Sequence, residues 1–304
     1  MNNNFKNLYL FGVGIALFIG LHLLGISNAI VVLVLFLAFF LYLTQTGYFN
    51  NQEARSYFYR GNGRYHQGDN QGAIENYNQA LQLDPNNAVA YNNRGNARAN
   101  LGELRAAIED FNQAIHLAPN NAVAYNNRGN ARFNLGELRA AIEDYNQAIH
   151  LAPNDAFTYI DRGNTRCKLG ELRAAIKDYN QAIHLDPNNA LAYLNRGVAR
   201  DNLGELRAAM EDYNQAIHHD PNNALAYISR GTARYNLGEL RAAIEDYNQA
   251  IHLDPNLADA YSNRGAARSN LDEYQAAIED HNQAIHLDPN NANAYSNEVQ
   301  PALT

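Results

Sequence analysis

The chain has 304 residues, a formal net charge of −8 and one cysteine, Cys167. The acid excess argues against a phosphate-backbone partner, which needs clustered Lys and Arg. A single cysteine excludes an intrachain disulfide framework and a cysteine metal site.

Charge is unevenly distributed along the chain. Residues 1–43 carry one charge, Lys6, and are mostly Leu, Phe, Ile, Val, Ala and Gly. After a short N-terminal segment (1–7), residues 8–43 read as a transmembrane anchor. As one straight helix these residues would span about 54 Å at about 1.5 Å per residue, against a bilayer core of about 30 Å. Two helices, about 8–24 and 29–44, fit better, turning at Gly25-Ile26-Ser27-Asn28, where Gly, Ser and Asn are turn formers. A single span from about Gly20 to Leu43 is the rival. Lys6 precedes the first span and Arg55, Arg60 and Arg64 come after the second, so the positive-inside rule places the rest of the chain in the cytoplasm. Gly12, Ala16 and Gly20 form a small-residue stripe, suited to packing on the second span or to self-association.

A linker (44–53) leads to the dominant signal, a pattern repeating every 34 residues. Seven full units cover 54–291: 54–87, 88–121, 122–155, 156–189, 190–223, 224–257 and 258–291. An eighth begins at Ala292 and is truncated, leaving 292–304 as a tail. Each unit reads as two helices. In the second, Val89–Leu101 and Leu104–Leu117 flank a turn at Gly102-Glu103, and Pro119 stops the hairpin. Gly recurs at repeat position 8 (Gly61 through Gly265) and Ala at position 20 (Ala73 through Ala277), allowing the backbones to approach closely. Tyr91, Tyr125 and their equivalents at position 4 are expected to fill the adjacent space, with Ala114 and Ile115 in the next layer. One hairpin cannot bury its apolar face, but stacked neighbours bury a continuous core.

Aromatic at 4, Gly at 8, Gly at 15, Ala at 20, aromatic at 24, Ala at 27 and Pro at 32 are similar to the tetratricopeptide-repeat (TPR) pattern. The resemblance covers 54–291, and the repeats most resemble those of bacterial members. Asp272 departs from it at position 15, His281 at position 24, and Arg stands at position 7 where Leu is more usual. The resemblance implies an all-α, right-handed superhelical solenoid whose first helices line a concave groove.

Arginines recur at position 7 (Arg60 through Arg264), position 11 (Arg64 through Arg268) and position 18 (Arg105, Arg139, Arg173, Arg207, Arg241), beside acids such as Glu109-Asp110. They read as a ladder of Arg–carboxylate pairs and solvated faces. His116, His150, His184, His218, His252 and His286 recur at position 29. Equivalent residues of stacked hairpins stand about a helix diameter, about 10 Å, apart. One zinc ion needs its ligands about 2 Å away, so no metal site is expected, and no cofactor.

At 100° per residue, positions 2, 5, 9, 12 and 13 share one face, which the resemblance identifies as the groove. Asparagine lines its N-terminal half: Asn62, Asn96, Asn130 and Asn164 at position 9, Asn92 and Asn126 at position 5, Asn100 and Asn134 at position 13. Ile160, Leu194 and Ile228 then take position 5, and Phe133 and Tyr235 stand at position 12. Asn carries both donor and acceptor groups, so such a row suits an extended peptide backbone. It resembles the asparagine ladder of TPR superhelices in glycosyltransferase targeting domains. The rival reading is a soluble, duplicated surface. The lysine clamp of chaperone-tail binders is missing, since Arg55 is the one cation at position 2 and position 5 has none.

The sequence therefore points to a membrane-anchored, non-enzymatic module. It would bind a partner peptide or helix in the groove, with the lipid bilayer as a second partner and no nucleic acid. The alternative is a self-associating membrane scaffold using the anchor and the unfinished C-terminal edge.

Overall fold

The computed structural model describes residues 33–35, 37, 39–41 and 48–289. Most of the expected anchor, and the tail from 290 onward, lie outside the described residues. Of the anchor, residues 33–35, 37 and 39–41 are helical, with Leu33, Phe39 and Leu41 exposed. Among the described residues no helix is long and apolar enough to cross a membrane.

Every regular element among the described residues from 48 to 289 is helical, and the chain divides into two compact units. The first unit, ending at Ala118, holds α1 (Tyr48–His66), α2 (Asn70–Leu83), α3 (Ala88–Asn100) and α4 (Leu104–Leu117). The second, from Pro119, holds five hairpins. They are α5 (Ala122–Leu135) with α6 (Leu138–Leu151), α7 (Ala156–Lys168) with α8 (Leu172–Leu185), α9 (Ala190–Asp201) with α10 (Leu206–His219), α11 (Ala224–Asn236) with α12 (Leu240–Leu253), and α13 (Ala258–Ser269) with α14 (Tyr274–Leu287). Within each unit every helix packs on the next, and successive first helices also touch, so each unit is a stack of hairpins, a short TPR-like solenoid.

Short-range chemistry sets the hairpin ends. The residue closing one repeat caps the first helix of the next: Asn87, Asn121, Asn189 and Asn223 accept from the backbone N–H three residues on, and Asp155 from that of Phe157. An oxygen-bearing N-cap satisfies a donor the helix leaves orphaned. Between the two helices the chain reverses through a left-handed residue: Gly102, Gly136, Gly170, Gly204 and Gly238, with φ from 77° to 85°. A Cβ disfavours that region. Asp272 adopts it at φ 62° in the last full repeat.

Inside the hairpin, the aromatic at position 24 lies against the glycine at position 8. A Cβ on Gly163 would stand 2.6 Å from Tyr179 Cε1, and one on Gly129 would stand 2.7 Å from Tyr145 Cε1. Tyr77, Phe111, Tyr145, Tyr179, Tyr213 and Tyr247 are buried in this way. This corrects the expectation for position 4. Those tyrosines stay partly exposed with an arginine over the ring, as in Arg162 Cζ 5.5 Å from the Tyr159 centroid. Ala73, Ala107, Ala141, Ala175, Ala209 and Ala243 are fully buried at position 20 and let the helices close on the aromatic.

Candidate functional site

From the second repeat to the seventh, the arginines at positions 7 and 11 are committed to the frame, while those at position 18 are exposed. In the fourth repeat, Arg162 donates from Nη2 to Asp178 Oδ1 at 2.6 Å and from Nε to Oδ2 at 3.1 Å. Its Nη1 crosses to Asn146 Oδ1 of the preceding repeat at 2.7 Å. Arg166 donates from Nη1 to Asp178 Oδ2 at 2.7 Å and reaches the carbonyl of Ala174. Each buried aspartate at position 23 (Asp110, Asp144, Asp178, Asp212, Asp246, Asp280) is thus held by two guanidiniums, one of them bidentate. Glu109, Glu143, Glu211 and Glu245, one residue earlier, are exposed. The first repeat has Asn76 at position 23. There Arg60 bonds Ser56, and Arg64 pairs with Asp69 at 3.3 Å.

The asparagine row is also partly committed. Asn62 Oδ1 accepts from the Tyr77 hydroxyl at 2.8 Å and from Asn93 Nδ2 at 3.0 Å. Asn164 Oδ1 accepts in the same way from Tyr179 and Asn195. Asn130 accepts from Tyr145 and donates to Asn126, whose own Nδ2 donates to Thr158 and Asp161. These amides tie the first helix to its partner and to the next repeat. In Asn62 and Asn164 the oxygen is thus doubly occupied. Phe111 stands where five other repeats carry Tyr, so Asn96 meets no such hydroxyl. Burial raises the Tyr77 and Tyr247 hydroxyls to about 12, which keeps these donors protonated at any physiological pH.

Three of the expected groove residues are not on an open face. Ile160 is 2 % exposed and Leu194 7 %. Ile160 packs on Ala175, Tyr179, Ala192 and Ala199, and Leu194 on Ala209, Tyr213, Ala226 and Ala233. Asn92 is likewise buried. Ile160 and Leu194 thus lie in the seam between successive first helices of the second unit, in one cluster with the alanines at positions 3 and 10 of the next repeat. A helical wheel groups position 5 with position 2 but carries no information about the neighbouring hairpin. Ile228, Phe133 and Tyr235 are partly exposed, and Asn100 and Asn134 are exposed. The position-13 side chain of one repeat covers the position-12 aromatic of the repeat before. Asn270 Nδ2 donates to the Tyr235 hydroxyl at 2.7 Å, Asn100 Nδ2 to that of Tyr65 at 3.4 Å, and Lys168 Nζ lies 4.7 Å from the Phe133 centroid.

The open apolar surface is position 2. Val123 is 60 % exposed, Phe157 64 %, Leu191 47 % and Leu225 58 % on α5, α7, α9 and α11, and Val89 holds the same place on α3. Arg55 and Asp259 take that position in the first and seventh repeats. The row belongs to the face picked out by periodicity, where the asparagines are the more conspicuous pattern. Its signal in the sequence is the switch from apolar to charged residues at both ends. Two further carboxylates, Asp161 and Asp201, lie on α7 and α9. Burial raises the Asp161 carboxyl above its ordinary range, opposed by hydrogen bonds from Asn126 and Asn130. Burial raises Asp201 too, opposed by the Tyr213 hydroxyl.

Among the described residues no group of His, Cys, Asp and Glu could hold a metal ion, and the position-29 histidines are exposed. Cys167 is partly buried beside the Tyr179 hydroxyl at 3.4 Å, and burial raises its thiol.

Two family models match the chain. One, described as TPR repeat, matches residues 61–102, 163–204 and 231–272. The other, described as Tetratricopeptide repeat, matches 88–121, 122–155, 190–223 and 258–291. No curated protein matches. Among solved structures the chain is similar to MamA, with 30% identity over 54% of this chain and 96% of that one and a TM-score of 0.51. It is also similar to a tetratricopeptide repeat protein from Parabacteroides merdae, at 20% identity over 81% and 98% of the two chains with a TM-score of 0.65. YrrB, described as a TPR protein with an unusual peptide-binding site, matches at 24% identity over 62% and 97% with a TM-score of 0.52. The last two likenesses show the fold alone.

Proposed function

This chain belongs to the tetratricopeptide-repeat family, and from that premise we propose that it is a non-enzymatic interaction module holding a partner peptide or helix on the faces of its first helices, beside a membrane. TPR repeats generally mediate protein–protein or peptide binding. The observation that carries the reading is the exposed aliphatic and aromatic row at position 2. Nothing in the hairpin needs apolar side chains there, because the core is closed by the position-24 aromatics and the small residues around them. The Arg–Asp clusters and asparagine bonds hold the helices that display the row, so the surface is organised before a partner arrives, which lowers the ordering cost of binding.

The membrane part rests on sequence. Leu8 to Leu43 contains no Asp, Glu, Lys or Arg, a length sufficient for one span or a short hairpin. Lys6, Arg55, Arg60 and Arg64 flank it and favour repeats on the cytoplasmic side. The module would then act as a membrane-side receptor or assembly scaffold.

The test is photocrosslinking from Asn134 in native membranes, comparing the wild type with a variant carrying Val123→Ser, Phe157→Ser, Leu191→Ser and Leu225→Ser. The substituted side chains lie largely in solvent, so the variant should melt like the wild type and lose the crosslinked partner. An unchanged crosslinking pattern in a folded variant would sink the binding face. Carbonate extraction of the full chain and protease protection of the repeats test the anchor and its orientation.

A further inference from the structure

The first helices of the second unit are nearly drained of available positive charge. Arg128, Arg162, Arg196, Arg230 and Arg264 are committed to the buried aspartates, and so are the arginines four residues after each. Lys168, the other cation on these helices, lies over the ring of Phe133. Yet two carboxylates there have only neutral partners. Asp161 stands at position 6, where the other repeats of the unit have Asn127, Asn195, Ser229 and Asn263. Its Oδ2 accepts from Asn126 Nδ2 at 3.1 Å. Asp201 stands at position 12, where the others have Phe133, Cys167, Tyr235 and Ser269, and burial raises its carboxyl, opposed by the nearby Tyr213 hydroxyl. Among the described residues neither forms a salt bridge, the nearby arginines being bridged to Asp144, Asp178 and Asp212 instead. Amide and hydroxyl donors leave the negative charge in place while its surroundings withdraw it from water, so a cation brought by a partner gains a charge-assisted bond.

Both carboxylates adjoin the exposed apolar row. Asp161 comes four residues after Phe157 on α7, and Asp201 three after Val198 on α9, spacings that make neighbours on a helix surface. Val198 is itself exposed, and Leu191 lies two turns before it on the same face.

Building on the binding face of the proposed function, we infer that the second unit takes a peptide segment with Lys or Arg set between apolar side chains. The cationic groups close on Asp161 and Asp201, and the apolar groups close on Phe157, Leu191 and Val198. The acidic balance of the whole chain favours the same partner through long-range attraction, but the selectivity belongs to these two side chains.

The experiment selects from a random peptide library on the full chain held in detergent. It compares the wild type with Asp161→Asn/Asp201→Asn and with Glu143→Gln/Glu245→Gln, a variant of equal charge change on second helices. The Asp161→Asn side chain still accepts the bond from Asn126, so the first variant should fold and melt no lower than the wild type. The expected result is enrichment of peptides carrying Lys or Arg among apolar residues. The best of them, resynthesised, should bind Asp161→Asn/Asp201→Asn about tenfold more weakly and the glutamate variant with unchanged affinity. Enrichment of acidic or uncharged peptides, or equal weakening by both variants, would overturn the basic partner while leaving the apolar face standing. If selection on the wild type matches selection on a Phe157→Ser/Leu225→Ser variant, the face itself fails and this inference fails with it.

Discussion

The fourth and seventh repeats have the same length and topology, yet they differ at nearly every device that shapes a hairpin. The fourth has an Asp155 cap, Gly170 at its turn, Tyr179 against Gly163 and Ile160 in its seam. The seventh has Leu257 with no side-chain cap bond, Asp272 in the left-handed region, His281 against Gly265, and Ser262, buried with no hydrogen-bond partner for its hydroxyl among the described residues. What both keep is the aspartate between two arginines, Asp178 in one and Asp280 in the other. The hairpin therefore tolerates a poorer cap, turn and core filling together while that charged cluster stays in place.

The largest expected effect breaks the shared feature. Asp178→Ala strands two mostly buried guanidiniums and should cost about 3 kcal/mol in urea unfolding. Asp280→Ala should cost a similar amount despite the weaker repeat around it. A loss confined to the fourth repeat would show that the cluster depends on the surrounding packing. Next is Gly163→Ala, which drives a methyl into Tyr179 and should cost about 2 kcal/mol. Gly265→Ala should cost less, because the His281 ring is smaller, and equal penalties would remove this distinction between the repeats. Repairing the seventh repeat comes third. Leu257→Asn and Asp272→Gly should each raise stability by about 1 kcal/mol, read from thermal melts. A loss on Asp272→Gly would mean that the bond from the Tyr274 hydroxyl to Asp272 outweighs the backbone strain.

The smallest effect is a pH dependence. The folded chain binds the Asp161 proton more tightly than the unfolded chain does, because burial lifts that carboxyl above 3.8. Its contribution to stability therefore falls as pH rises through the interval above 3.8. Asp161→Asn should gain stability relative to the wild type on going from acid to neutral pH, and the gain should vanish in acid. A difference independent of pH would mean that the carboxylate is well hydrated.

Local and periodic features of the fold are legible in the sequence: the helical hairpins, the proline stops and the pairing of repeated arginines with carboxylates. Which carboxylate pairs is not. Glu143 and Asp144 are adjacent, and only the packing of α6 on α5 buries one and exposes the other. The same limit governs the candidate site. Asn130 and Asn164 read as free donor–acceptor groups on one helix, while the tyrosines occupying their oxygens come from the other. Ile160 reads as groove surface because the wheel of α7 contains no α9 to cover it. The row at position 2 stays about half exposed or more, and there the helical period alone is enough to expect a solvent-facing side chain.

The crossing bonds from position-7 arginines within the second unit have a consequence for how such a chain changes in length. Arg162 reaches back to Asn146, Arg196 to Asn180, Arg230 to Asn214 and Arg264 to Asn248. Each repeat carries the donor for its predecessor and the acceptor for its successor, so the joints are interchangeable. Duplicating or deleting a whole 34-residue block between Asn146 and Arg264 leaves no donor or acceptor orphaned, whereas a change of any other length breaks the register at once. A gene for this chain can therefore extend or trim the protein in steps of one hairpin, and with each step add or remove one apolar side chain from the row it displays.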